Sequence, residues 1–592
     1  MCQLRLYSKT SRSAYGIATV FLRSRPLNEM TKRTFHQSHS TKRQKTTSKP
    51  ADEGSSEEVL LKDIRQLLSF NVAVHSPKEK SSEERSLPPP NSSYSPPERF
   101  AQVEVKILVL SSTGDGLGLS SNSDHVYVVP FTVPGDTVTA KVVNYFARDQ
   151  YTLTDFVKLI EPSPRRDDAL IKCPYFAKCS GCQFQMLPYE QQLAHKKTII
   201  EKAYLNFSTL TPELIPAIDD TVASPLQYSY RTKLTPHFDG PPGSLSRKVR
   251  RDNSLKRGFE EIPPIGFNLK NIRRTIDIED CPIGTDAVRL GMKRERKRVI
   301  AELSQYSRGA TILLRESTTR KPKPDSDYPK DESSNLSDGH IEASPEQADA
   351  SPNGTAWRTA NAQDAGARSI RDSSPSYNEE KTCITDQRAT STEYIDDFVF
   401  KNPAGAFFQN NNSILPRFTA YIRDHILPPE MEVNPKPIKH LIDAYCGSGL
   451  FTVTLSSLFS SSIGIDIAGG STAFAKENAK ANNVSNASFM TADASALFKE
   501  VAFPADETVV VIDPPRKGCD EAFLTQLLQF GPRRVVYVSC NVHTQARDVG
   551  VLVEGRWDCR YEIESLRGFD FFPQTGHVEG VAILNRMHKA QN

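Results

Sequence analysis

His440-Leu441-Ile442-Asp443-Ala444-Tyr445-Cys446-Gly447-Ser448-Gly449 reads as a strand that runs into a glycine turn, and residues 450–458 continue with helical spacing. Glycines at such a turn let the backbone come close to a ligand. The next strand, residues 462–465, ends in Asp466, a carboxylate placed to accept hydrogen bonds from ribose hydroxyls. A third, Val509-Val510-Val511-Ile512, ends in Asp513-Pro514-Pro515-Arg516. From Phe398 onward strand-like and helix-like stretches alternate, which predicts an α/β domain of Rossmann-like type, a parallel sheet covered by helices. A glycine turn alone occurs in many doubly wound sheets. The acidic end of the following strand strengthens it, and the Asp-Pro-Pro loop favours S-adenosylmethionine over a dinucleotide as the cofactor.

Further along, the apolar run Val535-Val536-Tyr537-Val538 delivers Ser539-Cys540-Asn541, and His577-Val578-Glu579 follows downstream. A thiol at a strand end beside a cofactor crevice is a candidate nucleophile, and a later carboxylate is a candidate base. A DNA or protein amino-methyltransferase could carry a Pro-Pro loop but would gain nothing from the thiol.

Upstream of the α/β region, residues 103–160 alternate short β-branched runs with the turn signals Gly114-Asp115-Gly116 and Pro134-Gly135-Asp136. Strands at this spacing predict a small OB-type antiparallel barrel, a fold that often holds single-stranded or looped nucleic acid. Through Gly114-Asp115-Gly116-Leu117-Gly118 and the run ending at Asp136, the segment resembles the TRAM domain of RNA-modifying enzymes. Next come Cys173, Cys179 and Cys182, with Cys281 far downstream. Three thiols at that spacing plus a distant fourth can surround one zinc ion or one iron–sulfur cluster, with plain buried cysteines as the alternative.

At 592 residues the chain calls for about three domains plus unstructured segments. The expected division is a basic N-terminal extension at 1–98, a barrel at 99–161, a central α+β domain at 162–316, a disordered insertion at 317–392, and the catalytic domain at 393–592. Within the extension, Ser55-Ser56-Glu57-Glu58 opens a helix whose Leu60, Leu61, Ile64, Leu67 and Leu68 share a face. The first fifty residues contain one acidic residue, Glu29, among many basic and hydroxylated ones, a composition that fits a mitochondrial transit peptide. Lys42-Arg43-Gln44-Lys45 fits a nuclear signal equally, and a cytoplasmic chain with a plain disordered tail is a further reading. The net charge of +3 argues neither for nor against nucleic acid. The clusters at 247–251 and 293–298 are the local candidates for phosphate contact. Ten scattered cysteines point to a reducing compartment, and the lack of a long apolar run points to a soluble chain with no membrane span. No feature marks an obligate protein partner.

Taken in order, Phe408-Gln409-Asn410, Asp443 to Gly449, Asp513-Pro514-Pro515-Arg516-Lys517-Gly518, Ser539-Cys540-Asn541 and Gln574-Thr575-Gly576-His577-Val578-Glu579 resemble the RNA 5-methyluridine methyltransferase family. The long extension and insertion look most like those of its fungal tRNA-modifying members. The resemblance implies methylation at carbon 5 of a T-loop uridine in tRNA, at position 54, with Cys540 adding to carbon 6 of the uracil and Glu579 removing the carbon 5 proton. It also implies that Gln409, Tyr445, Asp466 and Asp513 contact S-adenosylmethionine, that Asp513 also meets the uracil edge, and that Phe407 stacks on an extruded base. The spacing of Cys173, Cys179, Cys182 and Cys281 is similar to the [4Fe–4S] ligands of bacterial ribosomal-RNA members. The same chemistry on ribosomal RNA and a binding-only RNA protein are the competing readings. Cys540 and Glu579 together count against the second.

Overall fold

The computed structural model describes residues 52–75, 97–119, 125–241, 258–323, 369–373, 376–428, 436–492, 498 and 501–587. The acid-poor leader before residue 51 and the basic cluster at 247–251 lie outside the described residues.

The first described element is the helix Ser56–His75. Glu58 N–H donates to Ser55 Oγ (3.3 Å) and the Glu58 carboxylate accepts from Gly54 N–H (2.7 Å), a reciprocal cap that fixes where the helix begins. Its Ile64, Leu67 and Leu68 are buried together with Leu117, Val126, Val128 and Tyr151 of the next unit. That unit is a closed five-stranded barrel of Gln102–Leu110, Gly116–Leu119, Val126–Val129, Thr137–Phe146 and Tyr151–Glu161, in which the first strand pairs with both the second and the fourth.

In the central region two four-stranded sheets share a core of Leu234, Phe238, Val288, Met292, Leu314 and Cys383, with the helix Asp286–Ala301 contributing Val288 and Met292. One sheet corrects the expected insertion at 317–392. Leu314–Pro322, Ser369–Ser373 and Tyr377–Ile384 are strands, and Thr390–Ile395 pairs with Phe398–Pro403 in a hairpin. Their composition reads as loop because the strands are held on a half-buried polar face by charge. Arg320 pairs with Glu379 (2.8 Å), and Lys381 reaches both Asp372 and Glu379 (3.4 Å each). Cys383, expected in that insertion, is a buried core residue instead.

The C-terminal part is built on an eight-stranded sheet ordered Ala487–Thr491, Ser461–Asp466, His440–Ala444, Thr508–Ile512, Arg534–Ser539, Glu579–Arg586, Tyr561–Phe569, Asp219–Val222. The first five strands are parallel, and Glu579–Arg586 runs antiparallel to both its neighbours. Val509, Val510, Val511 and Ile512 are fully buried because helices cover both faces. Each such side chain contributes about 1.5–3 kcal/mol relative to exposure. The last strand, Asp219–Val222, comes from the central region, so the two parts of the chain share one sheet.

Candidate active site

His440–Ala444 is flanked by Ser461–Asp466 on one side and Thr508–Ile512 on the other. The chain order reverses there, and a crevice opens beyond the carboxyl ends of the strands. Tyr445, Gly447 and Gly449 carry the turn through left-handed backbone at φ 64°, 54° and 88°. A Cβ at Gly447 would meet nothing within 4 Å, so the turn leaves open space at its apex. The Asp466 carboxylate closes the wall, accepting from Gly447 N–H (3.0 Å) and Ala468 N–H (2.7 Å). Beneath the turn, buried Asp443 accepts from the N–H and hydroxyl of Thr452 (2.8 and 2.6 Å), and burial raises its carboxyl to about 7. Burial, with Asp443 nearby, raises Asp513 to about 7 as well.

Gln409 is buried and follows Phe408, whose ring lies in the same core as Cys446 and Leu450. Phe407 points the other way and is 74% exposed. Its loop is nevertheless held, because Lys233 Nζ donates to the carbonyls of Gly405 (3.0 Å) and Ala406 (2.9 Å). An exposed aromatic ring on a fastened loop offers a face on which a base can stack.

The strand Arg534–Ser539 ends directly before Cys540, and Glu579 begins the antiparallel strand beside it. Ser539 pairs with Gly580, so the next positions along the ladder are Cys540 and Glu579. Gln545 locks the two strands together, its Nε2 donating to the carbonyls of Tyr537 (2.8 Å) and Gly580 (3.0 Å). Glu579 is 1% exposed and neither carboxylate oxygen has a hydrogen-bond partner among the described residues. Burial, then Asp513, pushes its carboxyl well above the usual range, while Arg516 opposes them. Burial also raises the Cys540 thiol to about 12, helped by Glu579 and Asp513 and again opposed by Arg516. A buried carboxyl with no hydrogen-bond partner among the described residues, next to a thiol, marks the pair as a candidate functional site.

Arg516 and Gln545 are the residues that reading the sequence leaves without a role. Arg516 stands in the Asp513-Pro514-Pro515 loop, and its Nη2 lies 3.1 Å from His577 Nδ1, a bond that requires this nitrogen unprotonated. Its place beside that loop was the available signal. Gln545 lies four residues after Asn541, the cap of the helix Val542–Glu554, and that spacing turns its side chain back over the strands. The loop before Glu579 is clamped from the central region. Gln192 Nε2 donates to Gln574 Oε1 (3.1 Å), Gln574 N–H donates to Gln192 Oε1 (3.1 Å), and Tyr230 donates to the Pro573 carbonyl (3.2 Å). Below it lies a fully buried ion pair between Lys196 and Asp570.

Cys173, Cys179, Cys182 and Cys281 line a single cavity of about 330 Å³ whose wall includes Thr575 and His577. Burial is the main cause that raises all four thiols, Cys179 to about 11 and Cys182 to about 12. Among the described residues no group of three His, Cys, Asp or Glu side chains is arranged to hold a metal ion, so the expected [4Fe–4S] cluster gains no support from the geometry. The basic cluster at 293–298 is largely self-satisfied, with Arg294 and Arg298 on Glu295, Arg298 also on Glu302, and Arg296 on Asp277. No helix among the described residues is long and apolar enough to cross a membrane.

Comparison with known proteins agrees with this geometry. Residues 385–587 match the tRNA (uracil-5-)-methyltransferase family. The tRNA (uracil(54)-C(5))-methyltransferase of Schizosaccharomyces pombe is 43% identical, over 91% of this chain and 85% of its own. That of Saccharomyces cerevisiae is 40% identical, over 82% and 73%. The crystal structure of the Pyrococcus abyssi tRNA (uracil-54, C5)-methyltransferase in complex with S-adenosyl-L-homocysteine superposes over 81% of this chain and all of that one, with TM-score 0.51 and 21% identity, a likeness of fold. Fold and crevice thus define a Rossmann-like methyltransferase. The chain belongs to the tRNA (uracil-5-)-methyltransferase family.

Proposed function

We propose that this protein transfers a methyl group from S-adenosylmethionine to carbon 5 of uridine 54 in the T loop of tRNA. The observation that carries the reading is the ladder step that seats Cys540 beside Glu579 at the edge of the glycine crevice. The activity named for the two yeast relatives supports it. The crevice suits the cofactor: Gly447 leaves open space, Asp466 is a carboxylate fixed against the turn by the Gly447 N–H, and Tyr445, Asp513 and Gln409 complete the proposed binding set.

Carbon 5 of uracil is a weak nucleophile. In the proposed reaction the Cys540 thiolate forms a bond to carbon 6, and the displaced electron pair gives an enolate with nucleophilic character at carbon 5. Carbon 5 then bonds to the methyl group that S-adenosylmethionine would supply, the sulfonium–methyl bond breaks, and S-adenosylhomocysteine departs with its electron pair. Glu579 then accepts the carbon 5 proton, and the returning electron pair restores the 5,6 double bond and expels the thiolate. Arg516 acts on both groups and favours their charged forms. Asp513 also meets the uracil edge, and Phe407 stacks on the extruded base or a neighbour.

The strand order and closure of the barrel support an OB-type TRAM module that grips the RNA. The domain division is proposed on the sequence limits, with the strands to Ile384 assigned to the central domain and Asp219–Val222 to the catalytic sheet. A metal ion or [4Fe–4S] cluster on Cys173, Cys179, Cys182 and Cys281 rests on the resemblance of their spacing and on their sharing one cavity wall. Iron and sulfide analysis of anaerobically prepared protein tests it, and colourless protein free of both would overturn it. The leader favours a mitochondrial or nuclear address, which a reporter fused to it would read.

The function is tested by nucleoside analysis of tRNA and rRNA from cells lacking the protein. Loss of 5-methyluridine from tRNA is expected. Loss from rRNA alone would overturn the substrate.

A further inference from the structure

The helix Ser56–His75 touches the catalytic machinery from outside at two points. At its start, the Gly54 carbonyl accepts from Asn541 Nδ2 (3.1 Å), and the same amide donates to the Arg516 carbonyl (2.8 Å). Asn541 directly follows Cys540 and caps the helix behind it. Gly54 is buried against that cap at φ 67°, and a Cβ there would lie 2.5 Å from Thr544 Cγ2. Thr544 is itself bonded to the Arg516 carbonyl (3.2 Å). Glu53 adds an ion pair to Arg547 (3.3 Å).

Two turns on, Asp63 is 3% exposed, accepts from Ser112 N–H (2.5 Å) and pairs with Lys202 (3.0 Å). Ser112 opens the barrel turn that leads to the Glu579 loop. Gln183 Nε2 donates to the Thr113 carbonyl (2.7 Å), and Gln183 Oε1 accepts from Gly576 N–H (3.0 Å), three residues before Glu579. One helix therefore has its leading turn on the nucleophile's loop and its middle on the chain of contacts that reaches the base's loop. Its packing is divided the same way, with Val59 in the core under the catalytic sheet and Ile64, Leu67 and Leu68 on the barrel. Lys62 secures the join, donating to the Asn206 carbonyl (2.7 Å) and standing 4.7 Å over the Phe207 ring.

We infer that the segment 52–70 is a positioning strap that fixes the loop of Cys540 relative to the loop of Glu579, with Gly54 and Asp63 as its positioning residues. Neither touches the substrate. The inference rests on the catalytic reading of Cys540 and Glu579. A displacement of the order of 1 Å between reacting groups costs about 100-fold in rate, so a strap of this kind acts on the covalent step and leaves binding of cofactor and RNA nearly unchanged.

The full-length chain with Gly54→Ala tests it, read by the rate of covalent adduct formation on T-arm RNA containing 5-fluorouridine. The adduct rate is expected to fall about 10- to 100-fold, with affinity for S-adenosylhomocysteine and KM for RNA unchanged. Adding Thr544→Ser removes the methyl group that the new Cβ would strike, keeps the hydroxyl, and is expected to restore part of the lost rate, the rest being the strain of alanine in left-handed backbone. An unchanged adduct rate in Gly54→Ala, or a fall that Thr544→Ser does not relieve, would overturn the strap. Absence of any adduct with the unaltered protein would instead overturn the nucleophile assignment.

Discussion

Ser539 and Gly580 are paired across antiparallel strands, and that single register places Cys540 and Glu579 at neighbouring positions on the crevice rim. Thiol and carboxyl are brought together by backbone hydrogen bonds, with Gln545 bonded to the carbonyls on either side. A slip of one residue would turn every side chain of the strand to the opposite face.

Replacing Cys540 by Ala is expected to abolish methyl transfer, by about 10⁴-fold or more, while leaving S-adenosylhomocysteine affinity unchanged. Adduct formation on 5-fluorouridine RNA, read on a denaturing gel, should vanish with it. A persistent adduct would reassign the nucleophile.

Glu579→Gln is expected to slow turnover by about 10²–10⁴-fold for a different reason. Methylated RNA should accumulate attached to Cys540, because carbon 5 keeps its proton and the thiolate is not expelled. Mass spectrometry of the trapped complex with natural RNA checks this.

Burial and Asp513 raise Glu579, and burial and Glu579 raise Cys540 to about 12, so both are protonated in acid and the working forms appear as pH rises. The rate of adduct formation and turnover should therefore climb from neutral into alkaline pH. Arg516 lowers both groups, so Arg516→Gln should move that climb further alkaline. Its loss of activity should be larger at neutral pH than in alkaline buffer, a pattern that a pH–rate profile would show.

Phe407→Ala removes an exposed ring and should leave thermal stability nearly unchanged. A stacked base is worth about 1–3 kcal/mol, so KM for RNA should rise roughly 5- to 150-fold with KM for S-adenosylmethionine unaffected. Equal KM values for RNA in the two proteins would remove the stacking role.

Gly550 lies where the helix Val542–Glu554 crosses the Ser208 carbonyl, and a Cβ would be driven directly onto that oxygen. Gly550→Ala should cost about 1–3 kcal/mol, read as a lower melting temperature.

Much of the catalytic half is legible because its signals are local. The strand His440–Ala444 and its turn lie within ten residues, Asp466 and Asp513 directly follow apolar runs, and Cys540 stands two residues past Val538. The strands within 317–392 were hidden because charge pairs, rather than alternating apolar residues, hold Arg320, Glu379 and Lys381 in register. Arg516 and Gln545 were hidden for a different reason. Their roles depend on side chains meeting across sixty-one and thirty-five positions of sequence, at His577 and Gly580, and no periodicity reports such a meeting.

Leu314–Pro322 and Ser369–Ser373 flank the same strand, Tyr377–Ile384, so that Thr319 and Arg371 both face Glu380 from opposite sides. The chain leaves the sheet beside Tyr377 on one side of that strand and re-enters it beside Thr382 on the other, far along the sequence from Cys540. Doubling the length of such an excursion costs only about 0.6 kcal/mol. This is where the scaffold can accept foreign length, and a fluorescent or affinity module spliced between Lys323 and Ser369 should yield an enzyme that reports its own location while still methylating its substrate.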